Sequence, residues 1–346
     1  MKNFKKAAAL MLSLLMVFSL AACSSSDDTE DEETEAAEET EAEEEETEAA
    51  ASDETYLIGI CQLVQHDALD AATEGFKDAL VDLLGDAVEF DEQNASGDSA
   101  TCVTICSTLV AEECDLILAN ATAALQAAAA ATSEIPILGT SITDYATALE
   151  IDDWTGSTGT NVSGTADLAP LDQQAAVLNE LFPDAETVAI LYCSAEANSK
   201  YQADVITPYL EDYGYTVEVY TFADSNDVAS VTASACESAD VIYIPTDNTA
   251  ASCTEAINNV ALPAGVPIIA GEEGICSGCG VATLSISYYD IGYAAGEMAY
   301  EILVNGADVS TMEVQYAADV TKEYNAEIAE TLGIEIPDDY VAIETE

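Results

Sequence analysis

The chain contains no arginine, and its six lysines stand against 67 acidic residues, a formal charge of −61 over 346 residues. Three of the lysines (Lys2, Lys5, Lys6) sit at the extreme N-terminus, so everything from Tyr56 onward has only Lys77, Lys200 and Lys322. Nucleic-acid binding needs cationic side chains to displace counterions from phosphates, and they are missing. Docking on anionic lipid headgroups is excluded on the same ground. Without arginine there is no guanidinium fork, so an anionic ligand group must rest on backbone N–H groups and hydroxyls. Histidine is scarce too: His66 is the only one, and any Ser/His or Cys/His nucleophile pair would have to use it. No dinucleotide fingerprint, phosphate-binding Gly-Lys loop, HExxH or GxSxG pattern occurs. Glu272 and Glu273 are adjacent, but neighbouring side chains at a strand end point apart. The sequence therefore names no catalytic residue and no cofactor or metal, and it does not read as an enzyme. The acidity itself reads as a solubilising surface.

Only one long apolar run is present. Lys2, Lys5 and Lys6 precede Ala7–Leu20, which only Ser13 and Ser19 interrupt, and Leu20-Ala21-Ala22-Cys23 follows. This order predicts a secretory signal over residues 1–22, with a run too short to span a bilayer. Its last four residues resemble a bacterial lipobox, which implies lipidation of Cys23 and contact with the cell membrane only through that lipid. Ser24 to Thr55 holds 17 acidic and no basic residues. Such a stretch buries too little apolar surface to fold, and its like charges extend it. Residues 23–55 are thus expected to be a disordered tether with a reach on the order of 100 Å. Its acidic spacing is not that of an EF-hand loop.

Beyond Cys23 nine cysteines remain, an odd number: Cys61, Cys102, Cys106, Cys114, Cys193, Cys236, Cys253, Cys276 and Cys279. Cys61, Cys114 and Cys193 fall at core-like positions. Cys102 and Cys106 are four apart on an expected helix. Cys276–Cys279 is a lone CxxC, expected in a turn before a strand, a weak zinc signal and the wrong context for a redox pair. Free thiols are expected, with Cys276–Cys279 the candidate if one disulfide forms.

From Tyr56 on, short apolar strands alternate with helical periodicity. Strands are expected at 56–61, 88–91, 116–119, 135–138, 187–192, 216–220, 241–244 and 268–270. Helices are expected at 68–84, 100–112, 123–131, 173–181, 198–213, 228–237 and 249–260, with Asp67 and Asp70 at the cap and third position of the first. Fully apolar strands between helices imply parallel sheets covered on both faces. Two such series imply an α/β protein of two doubly wound lobes joined by a hinge. In such sheets ligands bind beyond the carboxyl ends of the strands. Those ends are polar here: Gln62, His66 and Asp70; Thr122 and Gln126; Thr140 and Asp144; Ser194, Glu196, Asn198 and Ser199; Thr246, Asp247 and Asn248; Gly271 and Glu272. Each of these residue types also caps helices, and the two roles are compatible because free N–H groups at a helix start attract carboxylates. Six polar ends on two facing lobes predict an interlobe cleft that closes by a hinge motion.

At these loops the chain resembles the ABC-transporter substrate-binding lipoprotein family that includes tryptophan- and tyrosine-type receptors. The segments that carry the likeness are Ile58–Asp70, Asp115–Gln126, Thr140–Asp144, Ser194–Ser199, Ile244–Asn248, Ile269–Glu273 and Ser287–Gly292. The resemblance implies the type I periplasmic binding protein fold, with three crossings between lobes. Residues 56–164 and 286–310 would form the N-terminal lobe, and 165–285 with 311–346 the C-terminal one. It further implies a monomeric extracytoplasmic receptor that passes a small solute, an amino acid with aromatic side chains favoured, to an ABC permease in the membrane. A sensor coupled to a membrane signalling protein would use the same cleft. For an amino acid, the carboxylate would rest near Thr122, Ser194, Asn198 and Ser199, the ammonium would pair with Asp247 or Glu196, and the side chain would lie near Gln62, Leu63 and Val64. The chain departs from the family at Ala123, where proline is usual, and at Ser287, where aspartate is usual, both near the cleft or hinge.

Overall fold

A computed structural model of the protein describes residues 55–344. The expected signal peptide, Cys23 and all but the last residue of the acidic tether lie outside the described residues.

The first series runs β1 (Tyr56–Gln62), α1 (Asp67–Leu84), β2 (Val88–Asn94), α2 (Ser99–Ala111), β3 (Leu116–Asn120), α3 (Thr122–Ala131), β4 (Ile137–Ile142), α4 (Tyr145–Ala148) and β5 (Val162–Ala166). The second runs α5 (Leu171–Leu181), β6 (Thr187–Cys193), α6 (Ala197–Asp212), β7 (Thr216–Phe222), α7 (Val228–Cys236), β8 (Val241–Ile244), α8 (Asn248–Ala251), α9 (Thr254–Ala264), β9 (Ile268–Ala270), α10 (Glu273–Cys279) and β10 (Ala282–Ser285). The chain ends with α11 (Tyr288–Leu303), β11 (Gln315–Tyr316), β12 (Thr321–Tyr324), α12 (Ala326–Leu332) and β13 (Val341–Ala342). Two sheets result, ordered β11-β5-β4-β3-β1-β2 and β13-β12-β10-β9-β8-β6-β7. Every pairing is parallel except β10 with β12.

The central strands β3, β4 and β8 are buried at every residue, as a sheet covered on both faces requires. On one face of the first sheet Ile58, Ile60, Leu116, Leu118 and Leu138 meet Phe76 and Leu80 of α1 and Met298 of α11. On the other, Cys61, Ile117 and Ile137 meet Cys102, Cys106 and Leu109 of α2 and Leu125 of α3. Each large aliphatic side chain buried this way contributes roughly 1.5–3 kcal/mol. Cys61, Cys102, Cys106, Cys114 and Cys193 are all buried, and no disulfide joins the nine described cysteines.

The chain crosses between lobes after β5, after β10 and after β11. The first lobe's share therefore reaches Ala166 and, on its return, Tyr316, past the expected limits of 164 and 310. The reason is edge pairing. Val314 N–H bonds to Gly156 O at 2.8 Å and the next two residues extend the sheet beside β5. Three local expectations also change. The segment 249–260 is two helices, because Cys253 takes a non-helical conformation between α8 and α9. The CxxC lies on helix α10 rather than in a turn, since Glu272 caps that helix. The cap of α1 is His66, with no side-chain bond, and Asp67 is the first helical residue.

Among the described residues the three lysines are paired. Lys77 meets Glu92 at 2.7 Å, Lys200 meets Asp204 one turn along α6, and Lys322 bridges Glu180 (2.8 Å) and Asp339 (2.9 Å). Pairs this exposed contribute at most about 1 kcal/mol each. Among the described residues no helix is long and apolar enough to cross a membrane.

Candidate functional site

The carboxyl ends of both sheets face one another, and the loops there are laced by side chains that the strand pattern places together. In the second lobe Asp247 follows β8 and is buried. One oxygen accepts from Ala250 N–H (2.7 Å) and caps α8, while the other accepts from Cys193 N–H (2.7 Å) at the end of β6. Burial, reinforced by the nearby Glu196 charge, pushes its acid well above the usual carboxylate range. Glu196 accepts from the backbone N–H of Asn248 (3.0 Å) and Thr249 (2.8 Å) and from both of their side chains. The two carboxylates thus fasten the loop after β6 to the loop after β8. Their oxygens accept from this lobe's own N–H and O–H groups, and Glu196 also lines the space between the lobes.

Asn248 extends the network across the cleft. Its amide nitrogen donates to Glu196 at 2.8 Å, which fixes the amide orientation and turns its oxygen toward His66 Nε2 at 3.3 Å. His66 therefore donates from Nε2, and its other ring nitrogen, Nδ1, is a buried acceptor with no partner. Burial lowers the His66 pKa, opposed by the Asn248 bond and by the charges of Glu196, Asp70 and Asp67, which keeps the ring neutral. A second bond joins the lobes between Gln202 Nε2 and Thr143 Oγ1 at 3.5 Å.

The other expected residues divide by what they touch. Asn198 is buried and donates to Thr246 O (3.1 Å), and Ser199 beside it is fully buried. Thr246 N–H donates to Gln202 Oε1 (3.0 Å), while Ser194 is exposed and donates to Phe222 O (3.2 Å). Gly271 admits no side chain, since a Cβ there would lie 2.6 Å from Thr246 N. Gln62 bonds Asp70 (2.6 Å) and Thr73 (2.7 Å), stiffening the start of α1. Thr122 opens α3 after Ala121, whose φ of 85° turns the chain sharply. Three residues act as caps: Asp144 for α4, Asp247 for α8 and Glu272 for α10. Burial pushes Glu272 up to about 7. Thr140 lies within the sheet, accepting from Thr165 Oγ1 (3.1 Å), and Gln126 ties α3 to α4 by donating to Ala148 O (3.0 Å).

Between the lobes a cavity of 210 Å³ is lined by Leu63, Val64 and Ala123 from one side and by Cys193, Glu196 and Asn248 from the other. Sequence reasoning missed Ser141, Thr143, Asp167, Gln202 and Tyr288. Asp167 had a usable signal, because it follows β5 directly and the strand-end rule applies to it as to the rest. Its Oδ2 accepts from the Tyr288 hydroxyl at 3.1 Å, and burial pushes its acid up to about 6. Among the described residues no group of three or more His, Cys, Asp or Glu is arranged to hold a metal ion.

Comparison with known proteins agrees with this geometry. The family model for ABC transporter substrate binding proteins matches residues 57–346. A tyrosine-binding protein of Clostridioides difficile is 39% identical over 249 residues, 71% of this chain and 72% of that protein. A Streptococcus pneumoniae domain solved in complex with L-Trp is 33% identical, with a TM-score of 0.78 over 82% of this chain and 96% of that one. The ligand-free, open structure of a Clostridium difficile substrate-binding protein with adhesive properties is 36% identical but reaches only 0.65, over 84% of this chain and all (100%) of that one. These relatives bind solutes and are not enzymes. The chain belongs to the ABC transporter substrate binding protein family and has the two-lobed fold of type I periplasmic binding proteins.

Proposed function

We propose that this protein is the lipid-anchored receptor of an ABC importer and that it captures an amino acid, aromatic ones favoured, between its lobes. The observation that carries the reading is the 210 Å³ interlobe cavity, with aliphatic residues Leu63, Val64 and Ala123 facing polar Glu196 and Asn248. It is smaller than the ~300–1,000 Å³ typical of drug-sized sites, which suits a ligand of amino-acid size with one apolar and one polar end. The tyrosine- and tryptophan-binding relatives support the same class. His66, Thr122, Asn198 and Asn248 are the polar residues assigned to the ligand. With no arginine in the chain, the ligand carboxylate falls to hydroxyls and backbone N–H groups.

Calorimetric titration with L-tryptophan, L-tyrosine and L-phenylalanine is expected to give saturable heat with at least one of them. Silence with all three would remove the aromatic assignment. Anchoring through Cys23 and work beside a membrane permease rest on the lipobox-like Leu20–Cys23 and the acidic tether. Cys23→Ser is expected to shift the protein from the membrane fraction into the medium or periplasm. Retention of the variant on membranes would sink the lipid anchor.

A further inference from the structure

Besides Asn120 Oδ1 at the end of β3, two polar atoms at the carboxyl end of the first sheet have no hydrogen-bonding partner: Ser141 Oγ on β4 and Asp167 Oδ1 just beyond β5. Both residues are at least nine-tenths buried, Ser141 at 5% exposure and Asp167 at 4%. They belong to one rigid corner. Asp167 N–H bonds Ile142 O at 3.2 Å, and the register of β4 against β5 shifts between Gly139 and Ile142. Ser141 is held in that bulge at φ 56°, a conformation that favours glycine. Gly139 and Gly164 leave the space that the Tyr145 hydroxyl fills, since a Cβ on either would come within 2.5 Å of it. That hydroxyl donates to Thr165 O at 3.1 Å and pins α4 to β5. A strained residue and a buried carboxylate with one oxygen unpartnered, both kept in place by packing, are features that cluster at ligand sites.

Three of the other carboxylates on the cleft edge have both oxygens bonded. Glu196, Asp247 and Glu272 each accept N–H bonds that close loops or cap helices. We infer that Asp167 is the anchor for the ligand's ammonium group, with Oδ1 accepting from the ligand N–H while the Tyr288 hydroxyl holds Oδ2. The ligand class is a primary ammonium carrying an apolar body. The strand order sets its length: β3, which leads to Ala123 in the cavity, lies two strand spacings from β5, about 10 Å, the reach of an amino acid with a large side chain. Burial of the unpaired carboxylate fits the same role, because a bound cation would supply the missing charge. The inference rests on the amino-acid reading above and names the group that recognises the amine.

The test compares wild type, Asp167→Asn and Tyr288→Phe by calorimetry against L-tryptophan and against 3-indolepropionate, which is tryptophan without its amino group; tyrosine and its deaminated analogue are used if tyrosine is the tighter ligand. Asp167→Asn is expected to weaken the amino acid at least 30-fold and to leave the deaminated analogue within 3-fold of wild type. Tyr288→Phe, which keeps the carboxylate but frees Oδ2, is expected to weaken the amino acid about 3- to 10-fold, without affecting the analogue. It also carries the test if Asp167→Asn does not fold. Wild-type binding with unchanged amino-acid affinity in the variants, or equal loss of both ligands, overturns the Asp167 assignment and leaves the amino-acid reading standing. No binding of any amino acid by wild type overturns both.

Discussion

Gly292→Ala is expected to destabilise the protein by about 3 kcal/mol or more and to lower its melting temperature by on the order of 6 °C. Helices α1 and α11 cross backbone to backbone. A Cβ on Gly292 would lie 2.0 Å from Ala72 O, and one on Gly75 would lie 2.1 Å from Tyr289 O. The obstructing atoms are main-chain carbonyls inside helices, which cannot swing aside as a side chain can. Relief requires the helices to separate, which would open the layer that holds Phe76, Leu80 and Met298 against the first sheet. Gly75→Ala is expected to do the same, and the double variant to cost well under the sum, because the first methyl already forces the separation. Thermal and urea unfolding of the single and double variants check this. A Gly292→Ala variant within 1 kcal/mol of wild type would show that the helices are not in backbone contact. The crossing also reaches the cleft, because α11 begins at Tyr288, whose hydroxyl holds Asp167.

Lowering the pH from 8.5 to 5.5 is expected to stabilise the ligand-free protein while weakening its grip on an amino acid. Burial pushes Asp167 up to about 6 and Glu272 up to about 7, and drives Asp247 upward as well, all from ordinary values near 4. The folded chain therefore binds more protons than the unfolded chain between those limits. Stability rises as pH falls through the raised values and gains nothing further below the unfolded ones. A rise in melting temperature of about 5 °C is the expected scale. Relief of surface repulsion acts in the same direction, but exposed charges are screened in salt and buried ones are not, so the rise should persist at high ionic strength. Ligand binding has the opposite sign, because the ammonium needs Asp167 ionised. The groups packed around that carboxyl, Tyr145 from α4 and Tyr288 from α11, are themselves held neutral by burial. Affinity should fall up to about tenfold per pH unit below 6. Melts and titrations on one buffer series test both halves. A melting temperature that drops toward pH 5.5 in high salt, or an affinity flat from pH 7 to 5, would contradict them.

The α/β architecture was legible because the strands that matter are apolar on both faces. Runs such as Leu116–Ala119 and Val241–Ile244 have no polar side to hesitate over, and the helices between them show their period. The return of β11 was hidden, since Gln315–Tyr316 is two exposed residues whose pairing depends on an edge supplied by β5. The cleft was legible as a place but not as a set of roles. Asp, Asn, Ser and Thr at strand ends satisfy helix N–H groups or a ligand with the same atoms, and only the bonding partners separate the uses. Asp144, Asp247 and Glu272 turn out to close helix ends, and Thr140 packs inside the sheet. Asp167 escaped the strand-end rule because Val162–Ala166, with Ser163, Gly164 and Thr165 among its five residues, does not read as an apolar strand.

The interlobe contacts also bear on how fast the receptor works. His66–Asn248 at 3.3 Å and Gln202–Thr143 at 3.5 Å join neutral groups, and such bonds are worth about 0.5–1.5 kcal/mol each. Together they shift the balance of shut to gaping molecules by roughly one to two powers of ten, enough to shut most empty molecules and too little to keep them shut. Solute enters only during the gaping intervals, so the apparent dissociation constant rises as the gaping fraction shrinks. The same weak latch slows escape once a solute is inside. Dwell time and capture rate thus depend on these two bonds as well as on the solute's own contacts, and they trade against one another whenever either bond is changed.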